Sequence, residues 1–218
     1  MLFPAMAYRA YIFDLDGTLL NTLPDLVRLT NMVLVENGWP ERTTEEILSF
    51  VGKGGRNLIG RAAPAGTPDA QLDAAFARWR ELYPTYGHAL TRPYDDIPET
   101  LAQLKATGAK LGVLSNKFDA AAQSVIAEHF PGVFDLVRGE CEEIPRKPDP
   151  AGLRFMMGQL GVQPADVLYV GDSATDVETA LNAGVACVAV SWGYQSCDML
   201  KAAGATTIID NPSDLLIQ

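Results

Sequence analysis

Histidine and cysteine are scarce in this chain, with two and three residues. Cys141, Cys187 and Cys197 are odd in number and lack the spacing of a zinc site or a disulfide framework. They read as buried thiols of a reducing compartment. Neither histidine is an evident acid–base group. His88 sits near the exit of a helical segment, and His129 ends a helix, where a cation suits the dipole. Positive charge is also short: 17 Lys and Arg stand against 27 Asp and Glu, a net charge of −10. That balance argues against a nucleic-acid backbone or an anionic membrane as the main partner. No run reaches the ~18 apolar residues of a membrane span. The first seven residues lack the basic cluster of a secretory signal, so a cytoplasmic enzyme is expected. Repeats and low-complexity tracts are missing too.

What is present is the composition of a globular protein, 48% hydrophobic and 20% charged over 218 residues. A chain of this length buries about 70% or more of its unfolded surface. One domain with a sizeable insertion fits it.

The stretch Tyr11-Ile-Phe-Asp-Leu-Asp-Gly-Thr-Leu-Leu20 organises the rest. It opens as an apolar run suited to a strand buried on both faces. Asp14 and Asp16 follow two residues apart, then Gly17-Thr18 breaks the strand. Two carboxylates ~4 Å apart repel by about 4 kcal/mol at an effective dielectric near 20. A cation, a proton or open water must relieve them. Ligands of open α/β sheets bind at strand ends such as this one. A metal-assisted site is the first expectation, although Asp-Gly also forms simple turns.

Residues 21–88 show only helical patterns. Asn21-Thr22 with Pro24 and Asp25 opens a helix carrying Leu26, Leu29, Val33 and Leu34, stopped by Gly38. Thr43 to Glu46 is a capping box. Gly52-Lys53-Gly54-Gly55-Arg56 reads as a loop, and a long helix is expected from Pro68 to Tyr86. From Pro93 onward helices and strands alternate. Asp96 to Glu99 caps a helix ended by Gly108. Strands are expected at 110–114, 134–137, 167–170, 186–190 and 206–209. This pattern predicts an α/β, doubly wound, mainly parallel sheet, a Rossmann-like core at 1–20 and 89–218, with a helical block at 21–88 inserted.

The strand ends gather the chemistry. Asp14 and Asp16 end the first strand, Ser115-Asn116 the second and Asp172 the third, with Asp176 opening the next helix. Lys147 sits in Pro145-Arg-Lys-Pro148, where two prolines fix its direction. In isolation Ser115-Asn116 reads as a turn, Lys147 as a surface charge and Asp176 as a helix cap. Together they suit a divalent cation and a phosphate.

Asp-Leu-Asp-Gly-Thr at 14–18, the Ser115-Asn116 strand end, Lys147-Pro148, and Gly171-Asp172-Ser173 with Asp176 resemble the four motifs of the haloacid-dehalogenase-like superfamily. Asn21-Thr22, the Val51-Gly52-Lys53-Gly54 loop and Lys117 resemble its phosphoglycolate phosphatases. The resemblance implies a Mg²⁺-dependent phosphatase acting on a small phosphorylated metabolite such as 2-phosphoglycolate, as a monomer or homodimer. Asp14 would be the nucleophile forming an aspartyl-phosphate, and Asp16 the acid, then the base. Asp14, Asp172 and the Asp16 carbonyl would hold the metal, with Asp176 behind them. Thr18, Ser115 and Asn116 would bind phosphate, and Lys147 would neutralise its charge. Lys53 and Arg56 of the cap would meet the substrate as the cap closes. A sugar-phosphate phosphomutase using the same nucleophile, of the β-phosphoglucomutase kind, is the alternative; the presence of Asp16 argues against dehalogenation. One departure from the family pattern is Tyr94-Asp95-Asp96-Ile97, where relatives carry Pro-Gly.

Overall fold

The computed structural model describes residues 8–217. The expectation about the N-terminal seven residues lies outside them. Six strands form one parallel sheet in the order β5-β4-β1-β6-β7-β8: β5 (Leu136–Glu140), β4 (Lys110–Phe118), β1 (Ala10–Phe13), β6 (Val167–Gly171), β7 (Ala186–Val190) and β8 (Ile208–Ile209). The chain runs outward from β1 through β4 to β5, then returns to β6 and runs the other way. The order therefore reverses beside β1, which opens a crevice at its C-terminal end.

Alternation along β1 explains why it is the centre. Tyr11 and Phe13 face one core with Leu111, Val113, Leu168 and Val170. Ala10 and Ile12 face the other with Leu114, Val167 and Tyr169. Burying a side chain such as Ile12 or Phe13 stabilises the fold by about 1.5–3 kcal/mol. The helices α5 (Ile97–Ala106), α6 (Asp119–His129), α7 (Ala151–Leu160), α8 (Ala174–Ala183) and α9 (Cys197–Ala202) join these strands, and a 3₁₀ segment at Pro212–Ile217 follows β8.

The helical block consists of α1 (Leu23–Glu36), α2 (Thr44–Phe50), α3 (Gly55–Ala62) and α4 (Asp69–Tyr86). It has its own core, including Leu26, Leu29, Val33, Ile47, Leu58, Trp79 and Tyr83. Two crossings connect it to the sheet. They pair as an antiparallel ribbon of β2 (Leu20–Asn21) and β3 (Arg92–Pro93). The buried Asp25 carboxylate ties them further, accepting from the backbone N–H of Leu90 and Thr91 and from the Thr91 hydroxyl.

Three local expectations differ from the structure. The glycine-rich run is a loop only to Gly54, and Gly55 and Arg56 start α3. Its three glycines hide a short apolar face, Leu58, Ile59 and Ala62, that packs on the block's core. β4 runs on through Ser115-Asn116-Lys117 instead of turning, with a register shift before Phe118 pairs with Glu140. Asp96 precedes α5 with φ +62° and no side-chain cap, so its carboxylate does not hold the helix N-terminus. The short α9, capped by Ser196, and the ribbon of β2 and β3 carry too few residues for any periodicity.

Candidate active site

The C-terminal sheet edge and the helical block enclose one cavity, with about 800 Å³ of empty space including its open mouth. Asp14, Asp16, Ser115, Asn116, Lys117, Lys147 and Asp172 line the sheet side. Leu26, Leu48, Val51, Leu58 and Trp79 line the wall made by the block. The β-strand rule accounts for the first group. Each side chain stands where a parallel strand, or the loop after it, leaves the sheet.

Lys147 is the hub. Its Nζ lies 2.8 Å from Oδ1 of Asp14 and 2.6 Å from Oδ1 of Asp176, and donates to the Tyr169 hydroxyl at 3.1 Å. Burial alone would lower its pKa, but Asp14 and Asp176 outweigh that and raise it well above the usual lysine range. The loop holding it is fixed by Asn116. That side chain accepts from the Lys147 N–H at 2.8 Å and donates to the carbonyls of Lys147 and Gly52 at 3.1 and 3.0 Å. Gly52 belongs to the helical block, so Asn116 bridges the two halves of the site.

Asp172 is buried and bonded on both oxygens. The Thr18 hydroxyl donates to Oδ1 at 2.8 Å and the Tyr194 N–H to Oδ2 at 2.8 Å. Its backbone neighbourhood is tight: a Cβ on Gly193 would sit 2.1 Å from the Asp172 Cβ. Asp176 completes the expected capping box with Ser173. Both its oxygens are engaged, by Lys147 and Tyr169 on one side and by Ser173 on the other. Burial and then the Asp176 charge push Asp14 up to about 7, against the pull of Lys147. The same two causes, with Asp14 added, raise Asp172.

This acid cluster fits a divalent cation. Asp14, Asp172 and Asp176 each offer an oxygen within 4.8 Å of the others, all three buried. Three carboxylates face one ammonium, Lys147, which leaves an uncompensated negative charge in a low-dielectric place. Carboxylate oxygens are the ligands that Mg²⁺ and its like prefer. Asp176 is taken up by four hydrogen bonds, one of them from the Lys147 ammonium, and does not line the cavity, whereas Asp14 and Asp172 do and are the better ligands.

Asp14, Asp16, Ser115, Asn116, Lys147, Asp172 and Asp176 thus come together as expected from the strand ends. Three expected contacts do not. Thr18 is fully buried and gives its hydroxyl to Asp172, so it supports that acid and does not face the cavity. Arg56 lies on α3 and pairs with Asp69 and Asp73 of its own block at 3.2 and 2.6 Å. Lys53 is exposed outside the cavity lining, and its carbonyl accepts from Arg146. The acids of α4 draw Arg56 away, which loop glycines alone did not reveal.

Five residues at the site were not assigned to it from sequence. Lys117 pairs with both Asp16 oxygens at 2.9 and 3.1 Å. Burial opposes its charge, and Asp16 overcomes this and raises it. Thr22 sits at the N-cap of α1 but makes no side-chain cap bond. Its hydroxyl donates to Asp16 at 2.7 Å instead. Tyr169 supports Lys147, Tyr194 holds Asp172, and the Trp192 indole N–H donates to the Thr18 carbonyl. The signal for Trp192 and Tyr194 was their place just after β7, the fifth strand reaching the same edge.

The model of the haloacid dehalogenase-like hydrolases matches residues 11–190. The chain belongs to that family. Phosphoglycolate phosphatase 1 of Pseudomonas aeruginosa is 36% identical over 214 residues, covering 95% of this chain and 78% of that one. The N-acetylmuramic acid 6-phosphate phosphatase of the same organism is 31% identical, covering 97% and 94%. A crystal structure from Lactobacillus delbrueckii subsp. bulgaricus superposes with a TM-score of 0.90 at 31% identity, covering 97% of this chain and 98% of that one. The α/β core with an inserted helical block is therefore the family's fold in this hydrolase. No helix of the described residues is long and apolar enough to cross a membrane.

Proposed function

We propose that this hydrolase is a phosphatase that cleaves a small phosphomonoester through an aspartyl-phosphate on Asp14, with Mg²⁺ bound by Asp14 and Asp172. Residues 21–88 act as the cap over a core made from 1–20 and 89–218. One observation carries the reading: Asp14, Asp172 and Lys147 share one cavity with Asp16 beside them. The names of its relatives make it a phosphoric monoester hydrolase and make 2-phosphoglycolate the first substrate to try.

The Asp14 carboxylate attacks phosphorus, and the bond from phosphorus to the leaving oxygen breaks. Asp16 gives that oxygen its proton. Asp16 then takes a proton from water, which attacks the aspartyl-phosphate, releases phosphate and restores Asp14. Lys147 places its ammonium beside the transferring group, and Ser115 offers a hydroxyl there. A bound Mg²⁺ would offset charge on the phosphoryl oxygens. Asn116 keeps Lys147 and the cap loop in register. The cap's apolar wall excludes water from the reaction, and Ser173, Thr175, Tyr194 and Gln195 leave a polar rim for the leaving group.

Hydrolysis is favoured over phosphoryl return to a sugar. A phosphomutase holds a second phosphate on its bisphosphate intermediate. No cation of the cap lines the cavity among the described residues, and Lys117 is already paired with Asp16.

Phosphate release from p-nitrophenyl phosphate and from 2-phosphoglycolate, with Mg²⁺ and with EDTA, tests the proposal. Release that stops with EDTA and returns with Mg²⁺ supports it. Activity indifferent to both would overturn the metal assignment, and none at all would overturn the phosphatase reading.

A further inference from the structure

Lys117 is buried, with 3% of its side chain exposed. Its ammonium meets both oxygens of Asp16 at 2.9 and 3.1 Å. The same nitrogen lies 5.1 Å from the centre of the Tyr83 ring. Tyr83 belongs to α4 of the cap, and its ring packs against Trp79 and Phe118, with centroids 5.1 and 5.2 Å away. On the other side, Asp16 accepts from Thr22, whose own N–H donates to the Tyr194 hydroxyl at 2.9 Å. The Asp16 carboxylate is therefore gripped from β4 and from the start of α1 at once.

A buried ion pair of this kind is weak evidence for stability, because desolvation offsets most of the attraction. Ordering a lysine side chain also costs up to about 2 kcal/mol of rotamer entropy. Geometry is what the pair supplies. A bifurcated contact to both oxygens fixes the plane of the carboxyl group, which a single contact leaves free to turn. An aromatic face under the ammonium holds the lysine itself in place.

We propose that Lys117 is a positioning residue that orients Asp16 towards the leaving oxygen, with Tyr83 of the cap holding Lys117. The inference rests on the phosphatase reading above. As the oxygen of Asp14 bonds to phosphorus, the bond to the leaving oxygen breaks and that oxygen takes the proton that Asp16 holds from the preceding turnover, which leaves Asp16 as the carboxylate gripped by Lys117 and Thr22. A weakly basic leaving group departs with little help from that proton. A more basic one depends on it, and so depends on where Asp16 points. Loss of orientation therefore has a fingerprint that loss of general structure lacks.

The experiment compares kcat/KM for phenyl phosphate and p-nitrophenyl phosphate, which share a shape but differ in leaving-group basicity. Proton donation by a placed acid contributes about 10²–10⁴-fold. Lys117→Met should lose about 10²-fold on phenyl phosphate and less than about 10-fold on p-nitrophenyl phosphate. Lys117→Arg should recover part of the difference. In an Asp16→Asn background, adding Lys117→Met should leave the ratio of the two substrates unmoved. That double variant removes both charges, so the test survives if Lys117→Met alone fails to fold. Equal losses on both substrates, or a further shift of the ratio in the Asp16→Asn background, would overturn the proposal while the phosphatase reading stands. A wild-type enzyme that cleaves neither substrate would remove the phosphatase reading first.

Discussion

The Thr18 hydroxyl donates to Oδ1 of Asp172 at 2.8 Å, across 154 positions of sequence. It joins the end of β1 to the end of β6, so the first motif supports the last. Thr18→Val keeps the shape and removes the donor. A buried carboxylate that loses a hydrogen bond costs about 1–3 kcal/mol. Residues that orient a metal ligand change metal affinity by about 10–100-fold. Thr18→Val should therefore melt earlier and need more Mg²⁺ for half-maximal activity. A variant with raised KM for substrate but unchanged Mg²⁺ demand would return Thr18 to the phosphate.

Gly193 lies where no side chain fits. A Cβ there would approach the Asp172 Cβ to 2.1 Å and its Cγ to 2.6 Å. Asp172 cannot yield without losing Thr18 or the Tyr194 N–H. Gly193→Ala should cost about 1–3 kcal/mol through overpacking, and activity should fall far more than stability. Calorimetry beside a phosphate-release assay separates the two. Gly184, at φ +73° with nothing within 4 Å of a built Cβ, is the contrast: Gly184→Ala should lose stability through backbone strain and leave the rate alone.

Asp14→Asn removes the attacking oxygen's charge while keeping the shape. Turnover should drop by on the order of 10⁴-fold or more, as when a covalent nucleophile is lost elsewhere. Acid-quenched wild-type enzyme should carry label from ³²P-substrate, and the variant should carry none. Label retained by Asp14→Asn would move the nucleophile to another residue.

Much of this site is legible in the sequence, because parallel strands place their ends on one edge. Asp14, Ser115 and Asp172 each follow an apolar run that can only be a buried strand, so their neighbourhood follows from topology. Thr18 and Thr22 were harder. Each reads locally as a turn or a cap, and only a fold that returns β6 beside β1 gives Thr18 an acid to meet. Arg56 shows the opposite limit. Its loop of glycines promised an open contact, but Asp69 and Asp73, 13 and 17 positions on, fold back and pair with it. Lys117 follows Ser115-Asn116, a pair that reads as a turn, and the continuation of β4 brings its side chain to Asp16.

Without metal, the site should make stability fall as pH rises. Burial and Asp176 hold Asp14 near 7 in the folded chain, against 3.8 for an unperturbed aspartate. Between those values the native state keeps a proton that the unfolded state has released. Folding is thus favoured at the acid side, and the advantage is lost as pH climbs through about 7, on the order of 4 kcal/mol from this group. Asp172 is raised as well and acts in the same sense. Lys147 is raised too, but its contribution fades only far above neutrality. His129 works the other way, since burial lowers it and its charged form destabilises the fold in acid. That effect is common to wild type and Asp14→Asn, so the difference between the two isolates Asp14. Melting in EDTA from pH 5 to pH 8 should show wild type losing more stability than Asp14→Asn across the range, and Mg²⁺ should restore most of the loss, since a bound cation favours the ionised carboxylates. Parallel curves for the two proteins would mean that Asp14 is not held protonated by its neighbours, and that Lys147 already balances the site without a metal.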